Sequence, residues 1–106
     1  MSAEQIFHVA LVSDWEAAVA AGDYRVSSLG VTLEQEGFLH ASRADQWEGV
    51  LQRYYADVTE PLVLLVIDPA RLTAPMVVEA VGQDTYPHIY GPLNVDAVVE
   101  TRPLDR

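Results

Sequence analysis

Pro61 to Ile67, Pro-Leu-Val-Leu-Leu-Val-Ile, is an unbroken apolar run closed by the turn signal Asp68-Pro69. A run of this length without alternation predicts a central strand buried on both faces, and it is far too short to cross a membrane. The segment before it supplies a partner layer. Trp47, Val50, Leu51, Tyr54 and Tyr55 recur at helical spacing, which predicts a helix from Arg43 to about Ala56 with one buried face. Ser42 is placed as its N-cap, with Asp45 at the third position.

Other elements follow from local signals. Ile6 to Leu11 reads as a first strand. Ser13 and Glu16 have the spacing of a capping box for a helix that buries Trp15, Ala18 and Val19 and ends at Gly22. Tyr24 to Val26 suits a short strand. Thr32 and Gln35 cap one helical turn that stops at Gly37. Gly37 to Ser42 is extended, and Met76 to Val81 and Val95 to Thr101 read as strands. Helices crowd the first half and strands the second, an α+β arrangement in one domain spanning 1–106.

Composition restricts the partners. Sixteen acidic residues face six arginines and no lysine, for a net charge of -10. Such a chain repels polyanions, so nucleic acid is not an expected partner. With no cysteine, disulfide and thiolate chemistry are excluded. The opening Met-Ser-Ala-Glu-Gln has neither a basic nor an apolar leader pattern, so the expected setting is cytoplasmic, with no obligate protein partner evident.

Candidate site residues gather in three segments. Tyr86 to Asn94, Tyr-Pro-His-Ile-Tyr-Gly-Pro-Leu-Asn, shapes its backbone with Pro87, Gly91 and Pro92, and places His88 and Tyr90 on one side if extended. It suits a structural corner or the wall of a site. The chain's only histidines, His8, His40 and His88, each lie in an extended or turn segment, and are expected to line one concave pocket. His40 and Ser42 share a face two residues apart, ahead of a helix whose N-terminus favours an anion and which carries Arg53. Glu79, among valines, is either an outward-facing strand residue or a catalytic carboxylate with a raised pKa. Trp15, Tyr24, Tyr54 and Tyr55 either pack the core or stack on a planar ligand. Three histidines from separate strands would suffice for zinc, but no pair has helical spacing, and no metal is assigned. Walker, GxGxxG, GxSxG and HExxH patterns are lacking.

Gly37-Phe38-Leu39-His40-Ala41-Ser42 and Pro87-His88-Ile89-Tyr90-Gly91-Pro92-Leu93-Asn94, with Phe7-His8-Val9 and Gln46…Arg53-Tyr54-Tyr55, resemble the DUF952 family of small bacterial proteins over nearly the whole chain. That family is grouped with the ADP-ribosyltransferase superfamily. The resemblance implies an ADP-ribosyltransferase-like fold, a small split β-sheet core with two main helices around an NAD-binding cleft. The nearest likeness is to RNA 2′-phosphotransferases, whose first-strand histidine His8 matches, whose His-x-Ser motif His40 and Ser42 match, and whose helical arginine Arg53 matches. Phe7 stands where they carry an arginine. The resemblance implies that His8, His40, Ser42, Arg53 and Tyr90 hold NAD, while His88 or Glu79 supplies the third, catalytic motif. The expected function is a nucleotide pocket with possible ADP-ribosyl transfer; a non-catalytic metabolite-binding module and a structural or interaction domain are the alternatives.

Overall fold

The computed structural model describes residues 4–104. Met1 to Ala3, part of the stretch searched for a leader, and Asp105 and Arg106 lie outside them. The architecture is α+β. The apolar run forms β6 (Leu62–Ile67), with every side chain buried, between β1 (Ile6–Leu11) and β10 (Val98–Leu104), both antiparallel to it. Alternate side chains of a strand point to opposite faces, so β6 feeds two cores. Val63, Leu65 and Ile67 join Tyr24, Leu39, Ile89 and Leu93. Leu64 and Val66 join Phe7, Val9 and Tyr55, with Trp47, Val50 and Leu51 packed against them.

The first of these cores is shared with a second antiparallel sheet, ordered β5 (Leu39–His40), β8 (Asp84–Ile89), β7 (Met76–Val81). Two short ribbons complete the strands: β2 (Asp23–Tyr24) with β9 (Leu93–Asn94), and β3 (Val26–Ser28) with β4 (Val31–Thr32). A narrow seam joins the two large sheets. Phe7 and Ser42 exchange backbone hydrogen bonds of 2.8 and 2.8 Å, and the Ala41 N–H donates to the Pro87 carbonyl at 3.1 Å.

Helices α1 (Val12–Ala21), α2 (Leu33–Glu36) and α3 (Trp47–Tyr54) fill the connections. Among the described residues no helix is long and apolar enough to cross a membrane. The Thr32–Gln35 capping box and the left-handed Gly22 and Gly37 stand as expected.

Several expectations need correction. Helix α1 leaves β1 directly at Val12, so Ser13 lies inside the helix and caps nothing, and Val19 is 55% exposed. Helix α3 starts at Trp47, not Arg43, and ends at Tyr54. Ser42 is held extended against Phe7, and residues 43–46 form a turn. Gln46 makes that turn: its side-chain oxygen accepts from the Arg43 N–H at 2.9 Å, while its amide donates to Asp84 and to the Thr85 carbonyl. Tyr54 is 66% exposed, leaving only Tyr55 of the pair buried. Val95–Ala97 is a 3-10 turn rather than strand, and β10 runs on to Leu104.

Strand β8 was hidden in the sequence by Pro87, which has no N–H for a central strand. The Pro87 carbonyl faces Ala41. In an antiparallel ladder a residue's N–H and C=O point the same way, so the missing donor falls on the Ala41 side and costs the β7 ladder nothing. Gly91 is required by a close approach: a Cβ there would lie 2.8 Å from the Ala74 Cβ.

Candidate functional site

A cavity of about 890 Å³ opens between the seam, the Ser27–Leu29 segment, α3 and the β7–β8 turn. Of the residues singled out from sequence, His8, His40, Ser42 and Arg53 line it, whereas His88, Glu79 and Tyr90 do not. The expected single pocket for three histidines is therefore not formed: the cavity takes in two.

His8 is buried in the wall with both ring nitrogens engaged. A carbonyl can only accept, so Nδ1 carries the proton donated to the His40 carbonyl, and Nε2 accepts from the Tyr24 hydroxyl at 3.0 Å. Burial, outweighing that backbone bond, lowers the His8 pKa to about 4. The imidazole is neutral at pH 7 and has no free polar atom for a ligand. Burial likewise raises the Tyr24 phenol, which stays protonated as the donor.

Arg53 differs from the other described arginines. Arg25, Arg43, Arg71 and Arg102 each pair with a carboxylate. Among the described residues Arg53 has no carboxylate partner; its guanidinium lies 5.9 Å from the centre of the Tyr54 ring and donates to the Tyr86 hydroxyl at 3.4 Å. Asp84, also in the wall, is already engaged by the Thr85 N–H, Gln46 and Arg43, which together hold its carboxyl below the usual range. The cavity thus holds an uncommitted cation beside two aromatic rings. Its wall also holds Ser27, 1% exposed, whose buried hydroxyl has no hydrogen-bond partner among the described residues.

The remaining histidine lies further along the same face of the second sheet. His88 pairs across the ladder with His40, their ring centroids 5.2 Å apart. Its Nδ1 donates to Glu79 at 2.8 Å, and the Tyr90 hydroxyl donates to the same carboxylate oxygen. The sequence allowed Glu79 a raised pKa; these bonds, that from Tyr90 first, instead lower it. Phe38 stacks on His88 at 4.1 Å between centroids; His88 is 3% exposed, and its buried Nε2 has no hydrogen-bond partner among the described residues. The His40 ring donates to Glu36 at 2.7 Å. Among the described residues no group of three or more His, Cys, Asp or Glu is placed to hold a metal.

Sequence reasoning missed Ser27 and Asp84, whereas Tyr86 begins the stretch it offered as the wall of a site. Ser27 and Asp84 sit in polar segments with no motif, and only the pairing of β3 and the β7–β8 turn carries them to the cavity.

Fold and cavity together define a small α+β protein with a ligand-sized, part-aromatic pocket containing one uncommitted cation. The family described as "Protein of unknown function (DUF952)" matches residues 9–101, and the chain belongs to it. Among solved structures it is similar to the X-ray structure of protein CC0527 from Caulobacter crescentus, with 28% identity, a TM-score of 0.83 and coverage of 95% of this chain and 86% of that one. The solution NMR structure of CC0527 gives 27% identity, a TM-score of 0.76 and coverage of 95% and 84%. No curated protein matches.

Proposed function

We propose that the cavity binds a small nucleotide of the NAD or ADP-ribose type, with Arg53 meeting a phosphate. The observation that carries this reading is the Arg53 guanidinium, without a carboxylate partner among the described residues of a chain with a net charge of -10. A guanidinium suits an oxyanion by geometry as well as charge. The volume lies within the ordinary range for ligand sites, and Tyr54 and Tyr86 offer stacking surface. The same excess of acid argues against nucleic acid, and a cytoplasmic setting accords with an NAD-type ligand. The finer kinship, to the ADP-ribosyltransferase superfamily and its RNA 2′-phosphotransferases, belongs to this proposal and is supported by His8, His40, Ser42 and Arg53 bordering one cavity.

On the transferase reading NAD loses nicotinamide through an oxocarbenium-like state. A second reading, binding without turnover, is favoured by His8 having no free nitrogen and by His88 and Glu79 lying outside the wall. Thermal-shift titration with NAD and ADP-ribose tests binding. An upward shift that disappears in Arg53→Gln is expected, and no shift with either nucleotide overturns the proposal. Nicotinamide release from NAD then separates transfer from binding alone.

A further inference from the structure

The three histidines do not share the cavity, but two of them hold the third. His40 borders the cavity with 40% of its side chain accessible, against 4% for His88. Its carbonyl accepts from His8 Nδ1, which fixes the backbone. Its ring Nε2 donates to Glu36 at 2.7 Å. Phe38 and His88 meet the ring edge to face, with centroids 5.0 and 5.2 Å away. Local structure brings Glu36 there. The Thr32–Gln35 capping box closes the single turn of α2, and left-handed Gly37 turns the chain back into β5. A carboxylate only accepts, so in the neutral ring Nε2 carries the proton and Nδ1 keeps its lone pair. Nδ1 has no hydrogen-bond partner among the described residues. The other histidine–carboxylate pair, His88 with Glu79, does not border the cavity. Of the two pairs, that of His40 alone brings an oriented, unoccupied basic nitrogen to the cavity wall.

We propose that His40 is the general base of the cavity, positioned by Glu36, and that it activates a water molecule to hydrolyse bound NAD. This rests on the transferase reading above, with water as the acceptor. His40 Nδ1 takes a proton from the water, and the water oxygen bonds to C1′ of the nicotinamide ribose. The bond from C1′ to the nicotinamide nitrogen breaks, and nicotinamide leaves as a neutral molecule with the bonding electron pair. The proton passes from His40 to solvent, so the products are ADP-ribose, nicotinamide and a proton. Imidazole suits the step because it takes up and releases protons near neutral pH. The neighbouring carboxylate supplies what a free histidine lacks, a fixed tautomer and ring orientation. The same arrangement gives His8 a role without a free nitrogen, since its Nδ1–H secures the backbone that carries the base.

Steady-state release of nicotinamide from NAD by the full chain and its variants, beside thermal shift with NAD, tests this. The parent is expected to release nicotinamide and free ADP-ribose in equal amounts. His40→Gln should lower kcat at least about 100-fold while the thermal shift with NAD persists. Glu36→Ala should lower kcat at least about tenfold with KM unchanged, the mark of an interaction made in the transition state. Glu36→Gln, whose amide oxygen still accepts from Nε2–H, should recover part of that loss. No thermal shift in the parent overturns the nucleotide reading, and this inference with it. A shift without nicotinamide release leaves the nucleotide reading standing and overturns this one. So does release that survives both His40→Gln and Glu36→Ala, or release that depends on Glu79 instead of Glu36.

Discussion

The sheet built on β6 and the sheet built on β8 divide the work of the molecule differently. In the first, the central strand is apolar, every residue is buried, and the buried histidine has both nitrogens satisfied. In the second, the central strand contains Pro87, its buried histidine keeps a nitrogen without a partner among the described residues, and its outer strand is largely exposed. The lesson is that the first sheet is optimised for burial, whereas the second retains unmet polar and apolar valences that a protein selected for stability alone would remove.

The largest expected effect tests whether stability resides in the first sheet. Leu65 is 0% exposed and Val78 56%. Leu65→Ala should cost about 2–5 kcal/mol by denaturant unfolding, and Val78→Ala under about 0.5 kcal/mol. Similar losses at the two positions would erase the contrast.

Acid should expose the difference through His8. In the unfolded chain its imidazole takes up a proton at the ordinary 6.5; in the folded protein, not until about 4. Between those values the unfolded state binds more protons, so stability falls as pH falls. The contribution is complete above 6.5, drains through the window, and is lost without further change below 4. It amounts to roughly 3 kcal/mol. His8→Gln should flatten the stability curve between pH 6.5 and 4 relative to the parent, and parallel curves would refute the burial argument.

The finest test compares a satisfied hydroxyl with an orphaned one. Tyr24→Phe leaves His8 Nε2 without its donor and should cost about 1–2 kcal/mol. Ser27→Ala removes a buried hydroxyl that has no hydrogen-bond partner among the described residues, so it relieves an unmet desolvation cost and should leave stability unchanged or raise it by about 1 kcal/mol. Equal costs would mean that the Ser27 hydroxyl is satisfied in the folded protein.

Much of the first sheet was legible because burial writes itself into runs and periodicities: β1, β6 and α2 fall where residue types put them. Helix α3 was overextended because Ser42 looks like a cap, yet its backbone is held by Phe7, a partner 35 positions away. Strand β8 was concealed because a proline is acceptable only once one knows which side its nitrogen faces. The site was half legible. His8, His40, Ser42 and Arg53 come together at the cavity, but nothing local says that His8 would spend both nitrogens internally, or that Phe38 would cover His88.

The seam between the sheets has a mechanical corollary. Residues 40–42 bond to β1 through the His40 carbonyl and the Ser42 backbone, and to β8 through the Ala41 N–H. One three-residue strip therefore acts as the hinge-pin on which both sheets hang, with the cavity beside it. Prying the sheets apart at this point must break bonds on both sides at once. The amides of Phe7, Ala41 and Ser42 should consequently exchange with solvent together, at the rate set by global unfolding, while those near the cavity mouth breathe independently.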